Sequence, residues 1–365
     1  MKNIKFILSI TVLALFIVST SSYAQLTLPR GSQKATVSQT VGISDISITY
    51  SRPSVKGREI WGKLVPYGMN NLGFGTAKES PWRAGANENT TIKFSNDVSI
   101  EGKALKAGKY GLHMVPFENG DVTIIFSENS GAWGSFFYNP DEDALQVNVK
   151  SNDISNVELL TFDFIDVTTN SATAALKWGT KEIPFKIEVA VNTIVLVNIK
   201  NELQNSPGFS NQSWRQAANY ALNNDGDLDE ALNWINGSIS GQFYSQRNYN
   251  NLLTKSRILA KMDKQEESLK LLEEASSLAN KRQLNAMGYQ MLNQKNYDLA
   301  IKFFKLNIKN DPTDPNSFDS LGEAYKTMGD KKNAIKNLKK ALSLNPKAAV
   351  KANSEKLLQE LGVKF

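Results

Sequence analysis

The sequence contains no cysteine and a single histidine. The first absence excludes disulfides, thiol catalysis, cysteine-ligated metals and a lipid-modified N-terminal cysteine together. The second excludes a histidine metal cluster, and any Ser-His-Asp triad would have to be built on His113. Phosphate-binding glycine motifs, a Gly-x-Ser-x-Gly elbow and a His-Glu-x-x-His helix are also missing. The acidic runs Asp141-Glu142-Asp143 and Asp225-Gly226-Asp227 lack the twelve-residue loop and closing Glu of a helix-loop-helix calcium site and read as solvated turns. No metal and no cofactor is therefore expected. Long apolar runs are scarce too. Beyond residue 24 the best is Thr193 to Val197, far short of the roughly 20 residues a membrane-spanning helix needs.

What is present begins with Lys2 and Lys5, an apolar run from Phe6 to Val18, and small and polar residues ending in Ser22-Tyr23-Ala24. That order is the pattern of a secretory signal peptide cut before Gln25. The rival reading, a retained membrane anchor, is disfavoured by the shortness of the run. Residues 1–24 are expected to be removed, leaving a periplasmic or secreted protein without a transmembrane segment. Charge is unevenly placed: residues 281–365 carry 16 Lys/Arg against 8 Asp/Glu. A basic tail favours anionic partners, and in an exported chain these would be envelope polymers rather than nucleic acid.

Between about Lys34 and Val191 apolar residues alternate with period two. Ile46, Ile48 and Tyr50 share a face, as do Ile92 and Phe94, then Val122, Ile124 and Phe126. Leu160, Phe162 and Phe164 follow, then Ala174, Leu176 and Trp178, then Ile183, Phe185, Ile187 and Val189. With turn residues every 8–15 positions this predicts an antiparallel β-sandwich-like domain, residues 25–195. A Gly/Pro-rich stretch from Ser51 to Asn89 interrupts it, but Trp61, Tyr67, Phe74 and Trp82 within that stretch call for packing partners.

After a linker at 196–209 the pattern becomes helical. Gly288, Ala300, Phe304 and Pro312 recur 34 residues later as Gly322, Ala334, Leu338 and Pro346, with Leu284 matched by Phe318. This resembles the tetratricopeptide repeat: small residues where two helices of a hairpin approach, a large one between hairpins, and Pro ending the second helix. The clearest copies are 281–314 and 315–348. Leu259, Ser268, Leu272 and Ala275 fit the same template 66 residues before Tyr325, Ala334, Leu338 and Ala341, and Leu222, Ala231 and Ile235 suggest a further copy. The fold class expected is thus α+β multidomain, a β-sandwich-like domain followed by an all-α repeat array over 210–365. Four hairpins are implied, with residues 347–361 as a closing helix.

In the β-rich half, Arg52-Pro53, Lys56-Gly57-Arg58, Trp61-Gly62, Val65-Pro66-Tyr67-Gly68, Trp82-Arg83-Ala84-Gly85-Ala86-Asn87 and Ala107-Gly108-Lys109-Tyr110 resemble the exported bacterial family named domain of unknown function 2911. The likeness continues through His113, Pro116, Trp133-Gly134, Tyr138 and Asp143-Ala144-Leu145, and covers about residues 32–190. An insertion-like segment, Asn70 to Ser80, and Gln146 in place of a basic residue depart from it. The resemblance implies no activity.

Candidate ligand-binding residues are Arg52, Lys56, Arg58, Trp61, Tyr67, Trp82, Arg83, Asn87, His113 and Trp133. Arginines beside aromatics on glycine-rich backbone suit a carboxylated, phosphorylated or sugar ligand, offering a planar bidentate donor and a stacking face. The bland alternative pairs the arginines with Glu59, Glu79 and Glu88 and uses the tryptophans to plug the sandwich. His113 is either a structural or surface residue or, near this loop, a ligand contact or proton carrier. In the repeat register the concave groove would be lined by Arg282, Asn285, Tyr289, Asn293, Asn316, Asp319, Glu323 and Lys326, a mixed-sign surface for a protein partner. The function expected is a non-catalytic binding and scaffold protein. The competing reading is a hydrolase of a glycan or small acidic ligand, with Arg52, Arg58 and Arg83 binding and His113 or Glu88 carrying the proton.

Overall fold

The computed structural model describes residues 28–364, so the expected signal segment lies outside the described residues. The chain divides into two units between Val191 and Asn192.

The first unit holds two antiparallel sheets. Strands β1 (Gln33–Val41), β2 (Ser44–Arg52), β3 (Thr91–Phe94), β6 (Gly108–Pro116), β7 (Asp121–Ser127) and β8 (Asp143–Lys150) form one in that order. The other runs β5 (Lys103–Leu105), β4 (Val98–Ile100), β10 (Ser171–Glu188), β9 (Asn152–Ile165). The alternating residues found in the sequence face inward from both: Ile46, Ile48, Phe94, Ile124 and Phe126 meet Leu160, Phe162, Leu176, Phe185 and Ile187, all buried. Tyr50 packs edge-on against Phe162 at 4.9 Å, and Phe126 against Phe185 at 6.0 Å, so the two inner faces interdigitate.

The runs ending at Trp178 and starting at Ile183 lie on one strand, β10, although their parity differs. Register shifts between Lys177 and Lys181 explain this. The extra residues lie on β9, where Thr161 to Val157 faces Lys177 to Gly179 and Val157 to Asp153 faces Gly179 to Lys181, and with Gly179 at a left-handed φ of 55° the regular alternation of β10 is interrupted between the two runs. The stretch from Pro53 to Asn89 carries no regular strand but is pinned by isolated bridges, Ser54 to Leu159, Asn70 to Ser80 and Trp82 to Met114. The insertion-like segment is consequently a loop pinched at Asn70 and Ser80, with Phe74 set against Phe136 at 5.7 Å.

The second unit is helical. Residues 196–209, expected as a linker, instead contain most of a helix α1 (Val191–Leu203) and a 3-10 turn (Ser206–Phe209). Four hairpins follow: α2 (Asn211–Asn223) with α3 (Leu228–Ile239), α4 (Tyr249–Lys261) with α5 (Gln265–Ser277), α6 (Lys281–Asn293) with α7 (Tyr297–Asn310), and α8 (Pro315–Met328) with α9 (Lys331–Ser343). A final helix, α10 (Ala348–Glu360), buries Leu357 and Leu358 beside Leu338. Asp227, Asn248, Asn296, Asp314 and Asp330 cap helix starts, and Asn280 forms a reciprocal capping box with Gln283.

The small-residue positions are required by geometry. A Cβ on Gly322 would stand 2.7 Å from Leu338 Cγ, and one on Gly288 would intrude into the Phe304 ring. In the degenerate copy these places are taken by Ser256 and Ser268, buried and hydrogen-bonded to each other at 2.9 Å. Paired hydroxyls there allow close approach without an unsatisfied polar atom.

Candidate functional site

The first unit holds a cleft of about 800 Å³ built from the Pro53–Asn87 stretch, with contributions from Gly31, Ser32, Ser135 and Trp178. Lys56, Arg58, Lys63 and Arg83 line it, and no Asp or Glu does. None of these four cations lies within ion-pair distance of a carboxylate among the described residues. Uncompensated positive charge on low-dielectric walls concentrates anions.

The arginines have different fates. Arg52 does not reach the cleft; Nε donates to Leu160 O at 2.9 Å and Nη2 to Thr161 Oγ1 at 2.6 Å, tying β2 to β9. Arg58 stays on the rim, its Nε donating to Val55 O at 3.0 Å. Arg83 is half-buried: Nη1 donates to Asn87 O at 2.7 Å, and the guanidinium lies over Phe136, 5.1 Å from the ring centre. Gly134 makes this possible, because at φ 68° a Cβ would collide with the guanidinium. Burial holds the Arg83 pKa below its usual value, the sign of a charge stripped of part of its water.

The tryptophans form one group. Trp82 stacks on Trp178 with centroids 6.0 Å apart and planes inclined by 15°, and Trp61 meets Trp82 edge-on at 5.7 Å while its Nε1 donates to Trp178 O. Of the three, Trp82 and Trp178 line the cleft. Lys56 lines it too, its backbone N donating to Glu158 Oε1 at 3.0 Å, and Asn87 lines it while donating to Ser32 O at 3.1 Å. Tyr67 and Trp133 lie elsewhere. Tyr67 covers Gly62 near Pro116 and Phe117, and Trp133 sits beneath Arg30, whose guanidinium pairs with Glu88. The pairing expected of Glu88 thus goes to Arg30. Lys63, Ser80, Ser135 and Trp178 belong to the cleft and were not singled out in the sequence, since Trp178 reads only as strand core and the serines carry no local motif.

His113 is 2% exposed, its Nδ1 3.0 Å from Ser135 Oγ, with Tyr138 edge-on at 5.9 Å. Burial, and then the neighbouring Arg83 charge, push its pKa down to about 4. It is a neutral, buried residue behind the cleft wall, not a surface one. Between pH 6.5 and about 4 the unfolded chain binds a proton at this position that the folded chain refuses, so folding stability is complete above pH 6.5 and falls as the pH drops toward 4. The contribution lost is about 3 kcal/mol. Denaturant titrations at pH 7 and pH 4.5 should show it, and the slope assigned to this group should vanish in His113→Gln; an unchanged slope would contradict the assignment.

In the repeat unit, four of the eight groove candidates turn out to bridge neighbouring helices. Tyr289 Oη donates to Glu323 Oε2 at 2.8 Å and lies 3.2 Å from the Ser320 hydroxyl, which can donate to it, and Lys326 pairs with Glu360 of the closing helix at 2.6 Å. Asp319 is buried, accepting from Asn353 Nδ2 at 2.8 Å and from the Ser354 hydroxyl, and burial raises its pKa. Arg282 and Asn293 are exposed, and Asn285 and Asn316 half-buried. Lys331, Lys332, Lys336, Lys339 and Lys340 are exposed on α9, with Lys340 over Phe318 at 6.0 Å.

A two-sheet antiparallel domain followed by stacked helical hairpins defines a β-sandwich joined to a tetratricopeptide-type array. Residues 32–187 match the family described as protein of unknown function (DUF2911), and residues 316–348 match the tetratricopeptide repeat. The chain thus carries a DUF2911 region in its N-terminal half and tetratricopeptide repeats in its C-terminal half. No curated protein sequence matches it. Solved structures similar to it include YrrB, described as a tetratricopeptide-repeat protein with an unusual peptide-binding site, at 17% identity, TM-score 0.31, covering 45% of this chain and 84% of that one. MamA is similar at 16% identity and TM-score 0.31 over 42% and 89%. The C-terminal part of a repeat protein from Cytophaga hutchinsonii follows at 18% and 0.32 over 46% and 77%. The repeat assignment itself stands on the hairpin register and the matched repeat. No helix among the described residues is long and apolar enough to cross a membrane.

Proposed function

We propose that this is an exported, non-catalytic binding and scaffold protein, in which the sandwich domain holds a small anionic ligand and the helical repeats recruit a protein partner. The observation that carries the first half is the acid-free cleft lined by Lys56, Arg58, Lys63 and Arg83. Four cations converge on one concavity without a carboxylate on its walls, whereas Arg30 and Lys181 of the same domain are answered by Glu88 and Asp153. The second half is supported by the stacked hairpins, whose concave surfaces serve protein recognition in repeat arrays. Exposed lysines of α9 give a separate, salt-screened contact to anionic envelope polymers. Export is supported by residues 1–24, and periplasmic protein should begin at Gln25 by mass analysis; an intact Met1 would end that part of the proposal.

Hydrolysis is less well supported. Both candidate proton carriers are engaged elsewhere: His113 faces a hydroxyl and holds its proton poorly at neutral pH, and Glu88 is ion-paired with Arg30. Titration of the full-length chain with small anions and their neutral isosteres, followed by tryptophan fluorescence through Trp82 and Trp178, tests the binding reading. A saturable response to an anion and none to its neutral counterpart is expected. A response to neutral sugars alone would overturn it.

A further inference from the structure

Two buried polar atoms in the cleft residues have no partner. Ser80 Oγ and Trp178 Nε1 are shielded from solvent and meet no hydrogen-bonding atom among the described residues. Both residues line the cleft, at 2% and 1% exposure. Buried polar groups in folded proteins are nearly always satisfied, and of the seven side-chain atoms in this state among the described residues these two fall on residues of one concavity, where a bound group is the candidate to complete them. Ser135, a third hydroxyl on the same cleft, is held by His113. Backbone N–H groups from Arg83 to Asn87 donate to no protein acceptor among the described residues. Ala84 and Asn87 there adopt left-handed φ values of 49° and 62°. Successive N–H groups in such turns form concavities that bind anions.

We propose, on the basis of the anion-binding reading above, that the cleft recognises a phosphomonoester, with the phosphoryl group at Arg83 and the organic body against Trp82 and Leu72. The donor set decides between anions. A carboxylate presents two oxygens in a plane and is satisfied by one guanidinium fork. A phosphoryl group presents three terminal oxygens and a charge near −2 at neutral pH. The residues of the cleft offer a half-buried guanidinium, an indole N–H, the Ser80 hydroxyl, unpaired backbone N–H groups and three rim cations, more than a carboxylate can use. Its volume of about 800 Å³ far exceeds inorganic phosphate and leaves room for an apolar or ring-bearing body.

The test is calorimetric titration of the full-length chain with phenyl phosphate, inorganic phosphate and terephthalate, a dicarboxylate of similar size. Phenyl phosphate is expected to bind at least about tenfold more tightly than either of the others. Its affinity should weaken as the pH falls from 7 to 5.5, because the second phosphate ionisation lies near 6. Ser80→Ala and Trp178→Phe should each weaken it several-fold. Ser80 removes a single hydroxyl and keeps the test decisive if the tryptophan change disturbs folding. Terephthalate binding as tightly as phenyl phosphate, or full affinity in Ser80→Ala, would overturn the phosphoryl assignment alone. Absence of binding by every anion would overturn the anion-binding reading with it.

Discussion

Arg83→Ala should lower the affinity of the full-length chain for small anions by about 10- to 100-fold, with a smaller cost of about 1 kcal/mol to its unfolding free energy from the lost bond to Asn87 O. A hydrogen bond to a charged group is worth about 1.5–3 kcal/mol, and 1.4 kcal/mol is a factor of ten in affinity. Arg83 is suited to that role because it is half-buried, fixed over Phe136 and against Gly134, and answers no carboxylate. Arg52→Ala should do the reverse. It loses the bonds to Leu160 O and Thr161 Oγ1 that tie β2 to β9, so stability falls by about 1–3 kcal/mol and anion affinity in the folded fraction is unchanged. Titrations paired with urea unfolding separate the two. If Arg83→Ala bound anions normally, or if Arg52→Ala lost binding without losing stability, the cleft would be wrongly placed.

The second large effect concerns the repeats. Gly288→Val should destabilise the helical unit by roughly 1–3 kcal/mol, since any Cβ at this place intrudes on Phe304, itself packed edge-on against Tyr289 at 5.2 Å. Helix propensity works in the opposite direction, by up to about 1 kcal/mol per Gly replaced, so sterics must win for the loss to appear. Gly237→Ala provides the control. Nothing lies within 4 Å of a Cβ there, and it sits inside α3, so the same type of change should stabilise by several tenths of a kcal/mol. Thermal unfolding followed at 222 nm would give opposite shifts for the two variants. Shifts of the same sign would contradict the hairpin packing described.

Both halves of the architecture were legible in the sequence because they rest on periodicity. Apolar alternation depends only on which face is buried, and it survived even the parity change in β10, where the pairing with β9 is irregular around Gly179. The 34-residue recurrence of Gly288 and Gly322 marks a spatial constraint, since a Cβ at either place meets Phe304 or Leu338. Helix α1 was hidden because Val191-Asn-Thr-Ile-Val-Leu-Val197 is rich in β-branched residues, which give no helical stripe. The cleft was half legible. Its Arg/Trp-rich stretch is local, but the fate of each arginine depends on acceptors more than a hundred residues away, as with Arg52 and Thr161. Ser135 and Trp178 arrive from distant segments and could not be assigned by spacing. The groove candidates Asp319 and Lys326 were displaced for a related reason: the closing helix occupies the positions that a following repeat would take.

Hydrogen exchange measured by mass spectrometry on the full-length chain, with and without phenyl phosphate, addresses the central claim that the anion site is this cleft. In the free protein the N–H groups of Arg83 to Asn87 have no protein acceptor among the described residues and should exchange quickly. Ligand should slow exchange across residues 82–89 and 132–136 and leave α9 unaffected. Slowing confined to the lysine-rich helix Lys331–Ser343, with residues 82–89 unchanged at saturating ligand, would contradict it.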